Sequence, residues 1–323
     1  MTRAHGTTIW ASEAWLAQAT AWADERLAEH GLERTRPPEQ VSLRPWATVL
    51  RIPTTDELVW LKAAAPRVAF EVGLYELLGR VAPERVLTPL ATDVGRAWLL
   101  LPDGGPTLGD RLRGRALVEA FAQALPKYAQ LQRDLAPHAD ELLARGVQDM
   151  RPARTADRFD EALAYVHALA DARERVELER VAAMRPAVLA WAERLAASAV
   201  PPSVDHNDLH PWNVLAGARF YDWGDAVLAH PFATMRALGW IPLEPGDIVR
   251  LRDAYLAGFA DLAPHAELVE ELELACRVGN VARALTWQRS VADAAPGEVK
   301  DRWLTGASEA LFSLLDDTWL GRA

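Results

Sequence analysis

The sequence predicts an α+β fold in two lobes, a small antiparallel-sheet lobe followed by a larger, mainly helical one. Three observations carry this. WATVLRI and ELVWLKA, between Val41 and Ala63, are rich in Val, Leu, Ile, Thr and Trp and flank turn residues at Pro53 to Asp56, the pattern of two paired strands. At Pro102 the texture changes to PDGGPTLGD, a Gly/Pro-rich hinge. Beyond it apolar residues recur at helical spacing almost without interruption up to Val200.

Taken in order, residues 12–30 form a first helix. Ser12 is placed to cap it, Trp15, Ala19, Trp22 and Leu27 share one face, and Gly31 follows as a stop. ERTRPPEQ breaks that helix and leads to the paired strands. Residues 67–80, RVAFEVGLYELLGR, read as an amphipathic helix, and two further short strands are expected around RVLTPLA and RAWLLL. In the second half, PPSVDHNDLHPWN is too polar and turn-rich to be helical and reads as a loop. VLAG and RFYDW make a small hairpin, after which helices resume to the end. The implied boundaries are 1–36 for a helical extension, 37–101 for the sheet lobe and 102–323 for the helical lobe.

Charge and cysteine content exclude several classes. The balance is 35 − 45 = −10, which argues against a nucleic-acid surface built on clustered Lys and Arg. A single cysteine, Cys276, permits neither an intrachain disulfide nor a Cys-rich metal site, and its helical context points to an inert buried thiol. The first residues lack the apolar core of a signal peptide, and no apolar run is long enough to span a bilayer. A cytoplasmic protein with neither nucleic-acid nor membrane partner is expected.

The chemistry concentrates in His206-Asn207-Asp208-Leu209-His210-Pro211-Trp212-Asn213 and in Asp222-Trp223-Gly224-Asp225 at the end of the hairpin. Phosphoryl transfer from a nucleotide needs a carboxylate to orient the acceptor hydroxyl and oxygen ligands to hold magnesium on the phosphates. Asp208 and Asn213 lie five apart on one loop, so one side chain faces the acceptor and the other the metal. Asp222 returns a second metal ligand from the hairpin. Upstream, Lys62 ends the apolar strand LVWLK and Glu71 falls early in the next helix, the positions of a phosphate-binding lysine and the glutamate that holds it.

These residues resemble the phosphotransferase enzyme family, which includes aminoglycoside phosphotransferases, choline kinases and homoserine kinases. HNDLHPWN is similar to the family's H-G-D-L-H-x-x-N segment and YDWGDA to its I-D-W-x-x-A segment. The likeness runs from about Val41 to the C-terminus and implies a protein-kinase-like fold binding ATP with Mg²⁺. It makes Asp208 the catalytic base and Asn213 and Asp222 the magnesium ligands, with Lys62 and Glu71 positioning ATP. The segment Leu99 to Gly104, including Leu101 and Asp103, becomes the hinge against adenine. Two departures stand out: Asn207 and Trp212 occupy positions where Gly is common, which predicts altered φ values in the loop. No G-x-G-x-x-G lies between the first strands, where Arg44-Pro45-Trp46-Ala47-Thr48 stands instead. Phosphate cover is then expected from the backbone and Thr48.

Competing readings attach to several residues. His206 and His210, four apart around Asp208, invite a zinc reading, but no third soft ligand stands nearby, and the loop context makes them struts. Asp225 either shapes the acceptor or metal site or caps the following segment. Trp240 and Trp287 are candidates for an acceptor pocket. The function expected is an ATP-dependent kinase acting on a hydroxyl of a sugar, amino sugar, aminoglycoside or amino alcohol. Its alternatives are a nucleotide-binding pseudokinase serving as a sensor or interaction module, and an unrelated helical ligand-binding protein.

Overall fold

The structure is a computed structural model that describes residues 6–294, 299 and 301–319. Helices α1 (Gly6–Trp10) and α2 (Glu13–Glu29) open the chain. Ser12 caps α2, its Oγ accepting from Trp15 N at 3.2 Å, and Gly31 leaves the helix at φ +71°. Trp15 and Trp22 meet Trp98 edge-on with centroids 6.1 and 5.5 Å apart, so α2 is packed onto the sheet by aromatic contact.

That sheet contains β1 (Glu39–Leu43), β2 (Ala47–Pro53), β3 (Leu58–Ala64), β4 (Ala91–Asp93) and β5 (Trp98–Pro102), in the antiparallel order β1-β2-β3-β5-β4. Register decides what each face carries. Leu50, Leu61 and Leu100 lie side by side on one face and are fully buried, whereas Val49, Lys62 and Leu99 lie side by side on the other. Helix α3 (Phe70–Val81) follows β3 and buries Val72, Leu74, Leu77 and Leu78.

The strand expected around RVLTPLA is displaced to that segment's end, where β4 starts at Ala91. Pro83–Arg85 form a 3-10 turn, Val86 makes one isolated bridge to Phe220, and regular pairing begins only at Ala91. Pro89 has no N–H to give to a ladder, so pairing with β5 starts only beyond it, with the Leu90 N–H donated to the Leu100 carbonyl at 2.8 Å.

After Pro102 come α4 (Leu108–Arg111), α5 (Gly114–Leu135), α6 (Ala139–Ala144), strand β6 (Gln148–Asp149), then α7 (Thr155–Leu169), α8 (Ala172–Ala183) and α9 (Arg185–Ala196). The loop expected from PPSVDHNDLHPWN begins with a buried strand, β7 (Ser203–Asp205). The hairpin forms as β8 (Val214–Leu215) and β9 (Arg219–Phe220). Helices do not resume at once: β10 (Val227–Ala229) pairs antiparallel with β7 and parallel with β6, and a 3-10 run follows over Pro231–Trp240. Strands of two or three residues carry too little alternation to be read from sequence. Helices α10 (Pro245–Leu256), α11 (His265–Val291) and α12 (Asp301–Phe312) complete the fold. It is the α+β, protein-kinase-like arrangement expected, and among the described residues no helix is long and apolar enough to cross a membrane.

One close approach joins the hinge to the catalytic loop. Thr107 and Asp110 cap α4 reciprocally, and the helix sets Gly109 against the Trp212 indole, where an added Cβ would lie 2.5 Å from ring carbon. Trp212 therefore matches a glycine elsewhere in the chain. Gly109→Ala is expected to cost about 1–3 kcal/mol by overpacking, and Trp212→Ala in the same chain to recover most of it. Urea melts of the single and double variants check this, and a double variant as unstable as Gly109→Ala would refute it.

Candidate active site

Lys62 comes from β3 and Glu71 from the first turn of α3. Their Nζ–Oε1 distance is 2.8 Å, and Glu71 is 2% exposed. Asp222 reaches the same ammonium from the end of the hairpin, Oδ1 to Nζ 2.6 Å, with its backbone at φ +63°. One cation thus ties the sheet, α3 and the hairpin segment together. Burial opposes the charge on Lys62, but Asp222 and Glu71 outweigh it and raise its pKa. Asp222 is held below its ordinary value, chiefly by Lys62. Burial pushes Glu71 up despite the ion pair.

Asp208 stands across the cleft, its carboxylate about one-third exposed. Arg283 Nη2 lies 3.4 Å from Oδ1 and His210 Nε2 lies 3.5 Å from Oδ2. Burial acts to raise this carboxyl, and Arg283 and His210 more than reverse it, holding Asp208 well below the usual carboxylate range. Asn213 donates from Nδ2 to the Asp208 carbonyl at 3.0 Å, which fixes the loop and leaves Oδ1 without a partner among the described residues. That free amide oxygen and the half-exposed Asp222 carboxylate, of which only Oδ1 is engaged by Lys62, are hard oxygen donors suited to magnesium.

Two buried tyrosines hold these segments from beneath. Tyr128, on α5, accepts from His206 N at 2.9 Å, and Tyr75, on α3, accepts from Asp222 N at 3.3 Å. His206 is a strut: Nε2 donates to the Tyr221 carbonyl at 2.9 Å while the ring packs on the fully buried Trp223. Asn207 adopts φ +61°, a left-handed conformation that Asn tolerates better than most side chains. It also anchors the loop, donating from Nδ2 to Thr286 Oγ1 at 2.8 Å while its carbonyl accepts from Arg236 Nη2 at 2.9 Å. Asp205 accepts from Asn207 N at 2.7 Å, and burial raises its carboxyl to about 6. Neither Arg236 nor Asp205 was singled out from sequence. For Arg236 the signal present was its setting, a charge within the apolar stretch PFATMRALGW.

Two cavities meet here. One, of about 380 Å³, is walled by Val49, Trp60 and Lys62 from the sheet and by Leu101, Asp103 and Gly104 from the hinge. The other, of about 190 Å³, contains Asp208, Asp225, Arg283, Thr286 and Trp287. Lys62, Glu71, Asp222, Trp46 and Ala47 line both.

Leu101 and Asp103 therefore line the larger cavity, Asp103 accepting from Trp60 Nε1 at 2.8 Å. Leu99 does not: it is buried at mid-strand opposite Lys62, and the cavity wall begins at Leu101. Thr48 is a clearer correction. It is fully buried, donates to the Ser42 carbonyl at 2.8 Å and accepts from Gln40 Nε2 at 2.8 Å. Strand alternation turns it off the cleft face, and its neighbours Trp46 and Ala47 line the cavity instead. Asp225 makes an ion pair, Oδ2 to Arg283 Nη1 at 2.6 Å, and so belongs to the site.

The family model described as "Phosphotransferase enzyme family" matches residues 40–268. The chain belongs to the phosphotransferase enzyme family. No curated protein matches it. Among solved structures it is similar to a macrolide 2'-phosphotransferase type I (17% identity, 93% of this chain and 97% of that one covered, TM-score 0.57). It is similar also to a choline kinase from Streptococcus pneumoniae (14% identity, 92% and 99% covered, TM-score 0.60). An ethanolamine kinase from Plasmodium vivax matches with 10% identity, 93% and 89% covered, and a TM-score of 0.61. At these identities the structures establish the fold, and with the family they support a small-molecule phosphotransferase.

Proposed function

We propose that this chain is an ATP-dependent kinase that moves the γ-phosphoryl group to a hydroxyl of a small molecule. The observation that carries the reading is the junction of the two cavities. The larger, bounded by the hinge, takes the nucleotide, and the smaller, containing Asp208, takes the acceptor. Their shared wall, Lys62 and Asp222, is where the phosphates would pass. In this reading residues 37–101 form the nucleotide lobe and 102–323 the acceptor lobe, with 1–36 a helical extension on the sheet.

Lys62, held by Glu71, would orient the α- and β-phosphates. Asn213 Oδ1 and Asp222 would hold magnesium, which neutralises phosphate charge when bound. Asp208 would accept a hydrogen bond from the acceptor hydroxyl and take its proton as the bond to phosphorus forms. Its lowered pKa suits that task, because a loose phosphoryl-transfer transition state asks for orientation more than for a strong base. Catalysis would then consist of alignment and charge neutralisation.

Two measurements test the reading. MgATP at one hundred times its Kd should stabilise the fold by about 2.7 kcal/mol through mass action. A panel of sugars, amino sugars, aminoglycosides and amino alcohols, screened for ATP consumption, should contain an acceptor. If MgATP leaves the melting curve where it was, the nucleotide assignment fails.

A further inference from the structure

We infer that the acceptor is an uncharged hydroxyl compound, a sugar or polyol without amino groups, gripped by Arg283 against tryptophan. The inference rests on the phosphotransferase reading above and specifies its second substrate.

The first ground is the state of the acids on the acceptor side. A polycationic acceptor needs carboxylates in excess and free to pair with its ammonium groups. Here one guanidinium occupies both: Arg283, 5% exposed, binds Asp225 at 2.6 Å and reaches Asp208 at 3.4 Å. Its central carbon also lies over the indoles of Trp240 and Trp287, 5.3 and 5.0 Å from their centroids. A second arginine, Arg289, donates to the Gly224 carbonyl at 3.1 Å beside the same wall. The cavity's other two carboxylates, Glu71 and Asp222, both hold Lys62, so each of the four acids among its described lining residues already pairs with a cation of the protein. An ammonium entering this cavity would have to compete with these fixed cations for carboxylates they already hold, which disfavours it where water is excluded.

The second ground is what the cavity presents. Trp46, Val68 and Trp287 supply apolar and aromatic wall, and Thr286 and Ser290 add hydroxyls. An aromatic face covers the C–H face of a sugar ring. A hydroxyl both donates one hydrogen bond and accepts others, so a fixed Asp–Arg pair satisfies it from both sides. One acceptor hydroxyl would donate to Asp208 while another accepts from Arg283. Arg283 thereby orients the acceptor at the catalytic carboxylate.

Matched acceptors decide it: glucose against glucosamine, ribitol against an aminopolyol, and kanamycin as the polycation. Both ATP consumption and calorimetric binding beside a non-hydrolysable ATP analogue are read. The expected result is a neutral member with kcat/KM at least tenfold above that of its amino counterpart. Arg283→Met should raise the neutral acceptor's KM tenfold or more and narrow the neutral-over-amino preference. MgATP stabilisation, a property of the other cavity, should persist and show that the variant is folded. A better amino acceptor overturns the inference and leaves the phosphotransferase reading standing. So does a preference that Arg283→Met does not move. Turnover and binding absent with every neutral compound, while MgATP still stabilises the chain, overturn it as well. Loss of MgATP stabilisation in the wild type instead removes the reading beneath it.

Discussion

Asp208→Asn is expected to lower turnover by at least about 10²–10⁴-fold, the range associated with loss of a general base, and to leave nucleotide binding intact. The split follows from placement. Asp208 lines only the cavity beyond the Lys62–Asp222 junction, so the amide removes a proton acceptor without touching the nucleotide's walls. The fold should tolerate the change, because Arg283 keeps its 2.6 Å bond to Asp225. Single-turnover assays with the acceptor found in the panel, run beside MgATP thermal shifts, separate the two effects. Turnover within a few fold of wild type would remove Asp208 from the role of base.

Lys62→Met should cost both activity and stability. Its removal strands Glu71, which is 2% exposed, and breaking a buried pair costs about 3–5 kcal/mol. Half-exposed Asp222 regains hydration and contributes little to that loss. The pH dependence has a definite sign. Burial already raises Glu71, and without the ammonium its folded-state pKa rises further above the unfolded value of about 4.3. Between those two values the folded state holds a proton that the unfolded state has released, so the variant's stability falls as pH rises. Chemical denaturation between pH 5 and 8 should show this slope. Adding Glu71→Gln should flatten it and recover part of the stability while activity stays lost. A pH-independent Lys62→Met would mean that Glu71 finds another partner.

Much of this site was legible before any coordinates. Asp208, Asn213 and Asp222 lie on one loop and one hairpin, so their spacing alone limits how far apart they can be. Lys62 and Glu71 straddle a single strand-to-helix step, and the 2.8 Å contact between them follows from that local geometry. Thr48 was misplaced by one step of strand alternation. Its neighbour Ala47 faces the cleft, and the hydroxyl turns inward to Ser42 and Gln40. The strand expected around RVLTPLA starts only at Ala91, because the apolar composition of that segment does not make up for the N–H that Pro89 lacks. Asn207 was expected to disturb the loop, and it instead keeps φ +61° and bonds Thr286 from a helix late in the chain.

Arg283 and the tyrosines were out of reach for a different reason. Nothing in VGNVARALTWQRS indicates that its first arginine will meet Asp208 and Asp225, nor does FEVGLYELL say that its tyrosine will hold Asp222. Short-range periodicity and turn chemistry act between residues close in the chain, so the sequence by itself determined most element types and the polar groups proposed to react. Which distant helix closes the smaller cavity, and with what charge, depends on how helices pack side by side. That packing is chosen by the summed burial of many apolar residues, and only the tertiary structure decided it.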